Sequence, residues 1–276
     1  MKNKLKNLLN KKLTEKELKS VPASFDVVGD LLVFSDFPEE LAKKEKIIGR
    51  AILKNYPHIK AILKKTKKHS GKFRLPKLKV IAGEKRKETL HKENNVLAKL
   101  NAEKAYFSPR MSSERKRIAC LIKPNETILV MFSGIGIYPL VISKNTKAKR
   151  IIGIEINPIA HKYATENIKI NKTANVELIL GDARKIMPKL KTQFDRIIMP
   201  LPKDAGNFLD LALSKAKKNS TLHFYCFSEE NNYQDLKELI NKECEKAKKQ
   251  CEIIGIVKCG QFSPRVYRVC VDFMVS

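Results

Sequence analysis

Three strand ends in the second half of the chain carry residues suited to holding an adenosine. After the apolar run "TILVMF", Ser133-Gly134-Ile135-Gly136 offers two glycines that let the backbone approach a ligand closely. After "RIIGIEIN", Glu155 is placed to accept hydrogen bonds from two ribose hydroxyls. After "VELIL", Gly181-Asp182-Ala183 sets a carboxylate where an adenine amino group can donate to it. A single acid of this kind is common on any surface. Three features in order, at successive strand ends, point to an adenosine-containing cofactor. S-adenosylmethionine fits better than a dinucleotide, because no long phosphate-cradling loop is present.

The fourth strand end is "DRIIMPLP", where an apolar strand runs into Pro200-Leu201-Pro202. Proline has no N–H and fixes its own φ, so two of them almost in contact stop a buried strand abruptly. They also stiffen the loop and are expected to expose carbonyls that no following N–H claims. In enzymes that use S-adenosylmethionine this position faces the methyl group, and such carbonyls can hold a planar base. A rigid strand-to-helix turn is the plainer alternative.

The elements that must position these residues alternate. From about residue 111 the order is helix "ERKRIACLI", strand "TILVMF", helix "YPLVISKN", strand "RIIGIEIN", helix "AHKYATENIKIN" and strand "VELILGDA". Strand "FDRIIMP", helix "AGNFLDLALSKAKK", strand "TLHFYCF", helix "YQDLKELINKECEKAKKQ" and a closing hairpin "CEIIGIVKC"/"RVYRVCVDFMV" follow. This pattern predicts a doubly wound α/β sheet of five parallel strands plus a hairpin, seven in all, with one strand antiparallel. Residues 21–105 read as a small α+β unit. It contains a hairpin in "FDVVGDLLVF", a helix between Pro38 and Pro57, strands "HIKAILKKT" and "LKVIAG", and a further hairpin from "RKETLHKENN". Residues 1–20 form a basic amphipathic helix with Leu5, Leu8, Leu9 and Leu13 at helical spacing, able to lie on RNA or to pack on its neighbour. The domains are therefore 1–20, 21–105 and 106–276.

Composition narrows the partner. Lys and Arg number 56 against 29 Asp and Glu, a net charge of +27. That surplus suits a polyanion, since each cation that meets a phosphate releases condensed counterions. Solvated Lys-rich faces are the other reading. The basic segment 64–74, with Phe73 inside it, joins charge to a stacking ring. The six cysteines form no C-x-x-C pair, which argues for a reducing cytoplasmic setting and against a structural metal. No secretory signal and no apolar run of ~20 residues are evident, so no membrane partner is expected.

Several ordered stretches resemble one family. "AYFSPRMSSERKRIA" (105–119), "MFSGIGIYPL" (131–140), "GIEINPIAHKYATENIKIN" (153–171), "GDAR" (181–184), "FDRIIMPLPKDAGNFLDLAL" and "CGQFSPRVYRVCVDFMV" (259–275) are similar to the archaeal and eukaryotic tRNA guanosine-37 N1-methyltransferases. The resemblance covers roughly residues 24–275. It implies a class I S-adenosylmethionine-dependent methyltransferase fold (Rossmann-like, seven-stranded), S-adenosylmethionine as donor, and the guanosine following the anticodon as acceptor. By the same resemblance Phe132, Gly134 and Gly136 match the cofactor loop, Glu155 the ribose acid and Asp182 the adenine-side acid. Arg110 matches an arginine near the target base. There a guanidinium can bond guanine O6 and stabilise enolate-like charge as N1 loses its proton. Pro200 and Pro202 form the base-holding edge, and Lys203 and Arg265 are substrate-side cations. The proton acceptor stays open among Glu114, Asp204 and water.

Three departures from the family pattern stand out. Val130 occupies a usually acidic position before Met131-Phe132. The family's small N-terminal domain has no counterpart, so tRNA contacts fall to residues 1–20 and 64–74. Pro-Leu-Pro stands where most members have Asn-Leu-Pro, as in the archaeal branch linked to wyosine synthesis. That branch implies guanosine N1, carbon 7 of the tricyclic intermediate imG2 in tRNA-Phe, or both, as acceptors. Two competing readings are a wyosine aminocarboxypropyltransferase and a non-catalytic tRNA-binding protein. A monomer is expected.

Overall fold

In a computed structural model of the chain, residues 2–22, 24–71, 73, 75–201, 203, 205–230 and 232–276 are described, the side chains of 2–4 and 67–70 excepted. The leading leucines go into a core. Residues 1–20 give two helices, α1 (Lys2–Leu9) and α2 (Glu15–Ser20), because a turn intervenes before Thr14 restarts the chain. Thr14 accepts from Glu17 N (3.3 Å) and the Glu17 side chain accepts from Thr14 N (2.8 Å), a capping box. Leu5, Leu9 and Leu13 are buried with Phe34, Ile48 and Ile52.

The strands of this first unit fall in the segments read as strands from sequence. β1 (Phe25–Val28) and β2 (Leu31–Phe34) form the first hairpin. Residues Glu39–Lys44 wind as a 3-10 turn before α3 (Glu45–Asn55), so the segment between the prolines is not α-helical throughout. β3 (Ala61–Ser70) lies parallel to β2, and β4 (Leu75–Gly83) antiparallel to β3, giving a sheet in order β1-β2-β3-β4. Gly49 is where α3 meets that sheet: a Cβ there would sit 2.3 Å from the Ala82 Cβ. β5 (Glu88–Glu93) and β6 (Val96–Asn101) pair around Asn94-Asn95, both in the left-handed region that asparagine tolerates. The chain divides into two units, residues 1–93 with 97–109, and 94–96 with 110–276.

The second unit is the expected α/β sheet. Its elements are α4 (Ser112–Cys120), β7 (Thr127–Met131), α5 (Ile137–Asn145), β8 (Arg150–Glu155), α6 (Pro158–Asn171), β9 (Val176–Leu180) and α7 (Ala183–Ile186). There follow β10 (Phe194–Met199), α8 (Leu209–Lys215), β11 (Ala216–Glu229), α9 (Gln234–Lys246), β12 (Cys251–Ser263) and β13 (Val266–Val275). The strand order is β12-β13-β11-β10-β7-β8-β9, and β13 is antiparallel to both its neighbours. The helix after β10 stops at Lys215, the first residue of the "KAKK" expected to end it, because Ala216 already pairs with Phe194 across the sheet. One sheet face contributes Leu129, Ile197, Leu222 and Phe273 to an apolar core that includes Leu213 of α8 and Ile240 of α9. Among the described residues no helix is long and apolar enough to cross a membrane.

Candidate active site

Glu155 joins three strand ends at the carboxyl edge of this sheet. Its Oε2 accepts from Gly134 N and its Oε1 from Asn157 N, both at 2.7 Å. Its main-chain carbonyl accepts from Gly181 N at 2.8 Å. The loop after β7, the start of α6 and the loop after β9 are thus fastened to one residue. Burial raises the Glu155 carboxyl above its ordinary 4.5, and the backbone N–H bonds from Asn157 and Gly134 partly oppose that shift. A carboxylate offers about four lone-pair sites, so two N–H donors leave capacity for hydroxyls.

The glycine loop is shaped for close approach. Gly134 and Gly136 hold φ of 57° and 79°, and a Cβ at Gly136 would press on Ala164 of α6 at 3.1 Å. Phe132 takes a left-handed φ of 59°, uncommon for an aromatic residue. Its ring meets Phe208 edge-on at 4.9 Å, and the Arg184 guanidinium lies 4.9 Å from the Phe208 centroid. Asp182 caps α7 by accepting from Arg184 N at 2.9 Å, which leaves its second oxygen uncommitted by that cap. These features fit an adenosyl group: a buried acceptor for the ribose, a carboxylate for the adenine side, and a main chain open to a ligand.

Some of the holding residues escape a motif reading. Asn157 caps α6 by accepting from Ile159 N and Ala160 N, at 3.0 and 3.4 Å. The sequence signal was present in Asn157-Pro158, an N-cap followed by proline at the first helical position. Asn167, fully buried, donates to the Ile135 carbonyl at 3.1 Å and pins the glycine loop from α6. Nothing in its neighbourhood announces that role. Phe208 and Arg184 likewise enter only through the fold.

At the fourth strand end the expectation about carbonyls needs correction. Leu201 N donates to the Met199 carbonyl at 2.8 Å, closing a three-residue turn over Pro200. The Met199 oxygen is therefore claimed. Pro202 and Asp204 lie outside the described residues. Lys203 is exposed. Arg265 sits at the β12–β13 tip with φ 59°, exposed, its carbonyl accepting from Glu230 N at 2.9 Å. Arg110 is exposed in the 3-10 turn Pro109–Met111 that leads into α4, one helical turn before Glu114. Val130 is fully buried in β7.

Glu114 opens a buried polar chain on the opposite sheet face from the apolar core. Its carboxylate accepts two hydrogen bonds from Arg117 and one from Tyr225, at 2.6–2.7 Å. Arg117 also donates to Asp272 at 2.6 Å, and Asp272 Oδ1 lies 2.6 Å from His223 Nδ1. Arg196 Nη1 contacts His223 Nε2 at 2.7 Å and its other nitrogens hold Glu126. A guanidinium only donates, so Nε2 carries the lone pair and Nδ1–H donates to Asp272. His223 is neutral, in accord with burial lowering its pKa against the pull of Asp272. Burial alone would raise the Asp272 carboxyl, but hydrogen bonds from His223 and Arg117 outweigh it and hold it below the ordinary range. His223, Cys270 and Asp272 gather within 4.8 Å of one another, with the Arg196 and Arg117 guanidinium groups bonded to that group.

Residues 89–254 match the TRM5/TYW2 methyltransferase domain and residues 5–86 the TYW2 N-terminal domain. The tRNA (guanine(37)-N(1))-methyltransferase Trm5b of Pyrococcus abyssi is 39% identical over 93% of this chain and 76% of its own length. Its crystal structure superposes with a TM-score of 0.87 at 38% identity, covering 96% of this chain and 78% of that one. The tRNA (guanine(37)-N(1))/4-demethylwyosine(37)-methyltransferase Taw22 of Nanoarchaeum equitans is 36% identical over 79% of this chain and 89% of its own. A tRNA(Phe) (4-demethylwyosine(37)-C(7)) aminocarboxypropyltransferase of Methanocaldococcus jannaschii is 34% identical over 90% of this chain and 96% of its own. The complex of aTrm5 with tRNALeu gives a TM-score of 0.86 at 31% identity, covering 98% of this chain and 77% of that one. M. jannaschii TYW2 in complex with AdoMet gives 0.71 at 27%, covering 92% and 99%.

Proposed function

Because the chain belongs to the TRM5/TYW2 methyltransferase family, we propose that it is an S-adenosylmethionine-dependent tRNA methyltransferase acting on N1 of guanosine 37. The observation that carries this reading is the Glu155 cluster, which binds the glycine loop and the Asp182 loop together at the sheet edge where β10 delivers Pro200. S-adenosylmethionine supplies an electrophilic methyl group when bound. The chain's own residues do the rest. Glu155 accepts from the ribose hydroxyls, Asp182 from the adenine amino group, and Gly134 and Gly136 admit the cofactor against the main chain. The stiff Pro200 turn holds the guanine in plane, and Pro202 is assigned to the same edge from the sequence alone. Arg110 donates to guanine O6 and stabilises the charge that develops as N1 is deprotonated. The acceptor of that proton stays open among Asp204, water and Glu114, whose buried carboxylate is already held by Arg117 and Tyr225. Lys203 and Arg265 meet the RNA backbone.

With proline in place of asparagine, no side chain at position 200 reads the edge of the base, so the slot also admits a tricyclic base. Carbon 7 of 4-demethylwyosine in tRNA-Phe is then a second acceptor, giving imG2, consistent with the 4-demethylwyosine activity in the name of the N. equitans relative. All six cysteines are free thiols, which suits the reducing cytoplasm.

A second reading has its own support. The TYW2 N-terminal match over 5–86 and the nearly full-length M. jannaschii relative favour aminocarboxypropyl transfer from the same cofactor. The two part cleanly under isotopic label. The chain is incubated with S-adenosylmethionine labelled in the methyl or in the carboxyl carbon and with tRNA with or without the tricyclic base, and nucleosides are resolved by mass spectrometry. Methyl label in 1-methylguanosine is the expected result; carboxyl label in RNA overturns it, as does no label from either. Pro200→Asn is expected to keep guanosine methylation and to lose 4-demethylwyosine methylation; equal loss on both removes the slot argument.

A further inference from the structure

The last three strands run past the rest of the sheet. β10 ends with Met199 opposite Phe224, whereas β11 continues to Glu229, still paired with β13 as far as Val266. β12 runs parallel to β11, so its end at Ser263 and the turn at Arg265 stand at the same carboxyl edge as the Glu155 cluster. This ribbon projects there with an aromatic pair on it. The Phe227 and Phe262 rings lie 4.2 Å apart, inclined by 35°. The Arg268 guanidinium sits 5.8 Å from the Phe227 centroid, and Lys258 Nζ lies 4.8 Å from that of Tyr267 while pairing with Glu230 at 3.2 Å.

Phe262 is 64% exposed, the most open of the large apolar side chains among the described residues. An exposed ring adds little to a core, yet this one is oriented by the ring beneath it. Its inner face is taken and its outer face is available. Aromatic rings among cations are how proteins grip unpaired nucleotides, because every base has a π-face and every link a phosphate. The excess of 56 basic over 29 acidic residues makes a polyanion the complementary occupant.

We propose that Phe262 is a stacking platform for an unpaired base adjoining the one that enters the active site, backed by Phe227 and Arg268, with Arg265 meeting a flanking phosphate. The proposal rests on the reading of the chain as an enzyme of the tRNA anticodon loop. It assigns the base neighbouring the target to a residue outside the Glu155 cluster.

The test uses the full chain and an anticodon stem-loop RNA carrying 2-aminopurine on one or the other side of the target guanosine. Wild type and Phe262→Tyr are expected to quench the probe on binding. Phe262→Leu keeps apolar packing on Phe227 but has no π-face, and it should behave like Phe262→Ala. Both should bind about five- to a hundredfold more weakly, with KM for RNA rising more than kcat falls. Quenching and affinity unchanged in the Leu and Ala variants overturn the proposal. So does a wild-type dimer, seen by sedimentation, that Phe262→Ala disperses without loss of RNA affinity, since the ring then covers a second copy. Group transfer by wild type with no effect of Phe262→Ala sinks the platform and leaves the enzyme. Quenching in wild type with no transfer from S-adenosylmethionine sinks the enzyme and supports the platform.

Discussion

Glu155 works through both its side chain and its main chain, and this makes it sensitive to pH. Burial lifts its carboxyl above 4.5, so its protonated form appears at higher pH than for a free glutamate. Under the proposed function, protonation removes an acceptor for the ribose hydroxyls. Cofactor affinity is therefore expected to fall as pH drops, with onset above 4.5, when titrated by calorimetry. Glu155→Gln should be weak throughout, about tenfold or more, and flat with pH; a pH-dependent Gln variant would place the titration elsewhere. Arg110→Ala should instead leave cofactor affinity intact and reduce turnover by about 10²–10³, read in single-turnover methyl transfer. An unchanged rate would return Arg110 to the surface.

At the scale of elements, α1 and α2 show how one pattern serves two ends. The Lys-rich face of residues 1–20 looks like an RNA arm, but Leu5, Leu9 and Leu13 lie within 7% exposure in the core of the first unit. Leu9→Ala should cost about 2–5 kcal/mol of that unit's stability, measured by denaturant unfolding. Loss of RNA affinity without loss of stability would reverse the assignment. Helices, hairpins and strands here were legible because their periods differ, 3.6 against 2. Their ends were less so. Lys215–Ala216 is helical by composition but Ala216 is recruited by Phe194 on β10, a partner distant in sequence.

Across the whole second unit, the chain from Glu126 through Arg196, His223, Asp272 and Arg117 to Glu114 ties α4 to the sheet. Asp272→Asn leaves Arg117 and His223 without their carboxylate and should cost about 3–5 kcal/mol. His223 adds a pH dependence with a definite sign. Its folded pKa lies below the unfolded value near 6.5, so the unfolded chain binds more protons below that pH. Its contribution is whole above about 6.5 and is lost as pH falls. Thermal unfolding across that range should show the slope in wild type, and His223→Gln should flatten it.

The sequence by itself determined which residues lie at the carboxyl ends of the strands. Apolar runs, turn residues and their order are local properties, and they were enough to identify Gly134, Glu155 and Asp182 as the candidate cofactor side. The tertiary structure alone decided who serves them. Asn167 reaches the Ile135 carbonyl, Phe208 meets Phe132, Leu201 takes the Met199 oxygen, and Phe262 rests on Phe227. The physical reason is that hydrogen bonds and ring contacts act over a few ångströms of space. Apart from the turn at Pro200, those partners are separated by long stretches of chain, where no period in the sequence can bring them together.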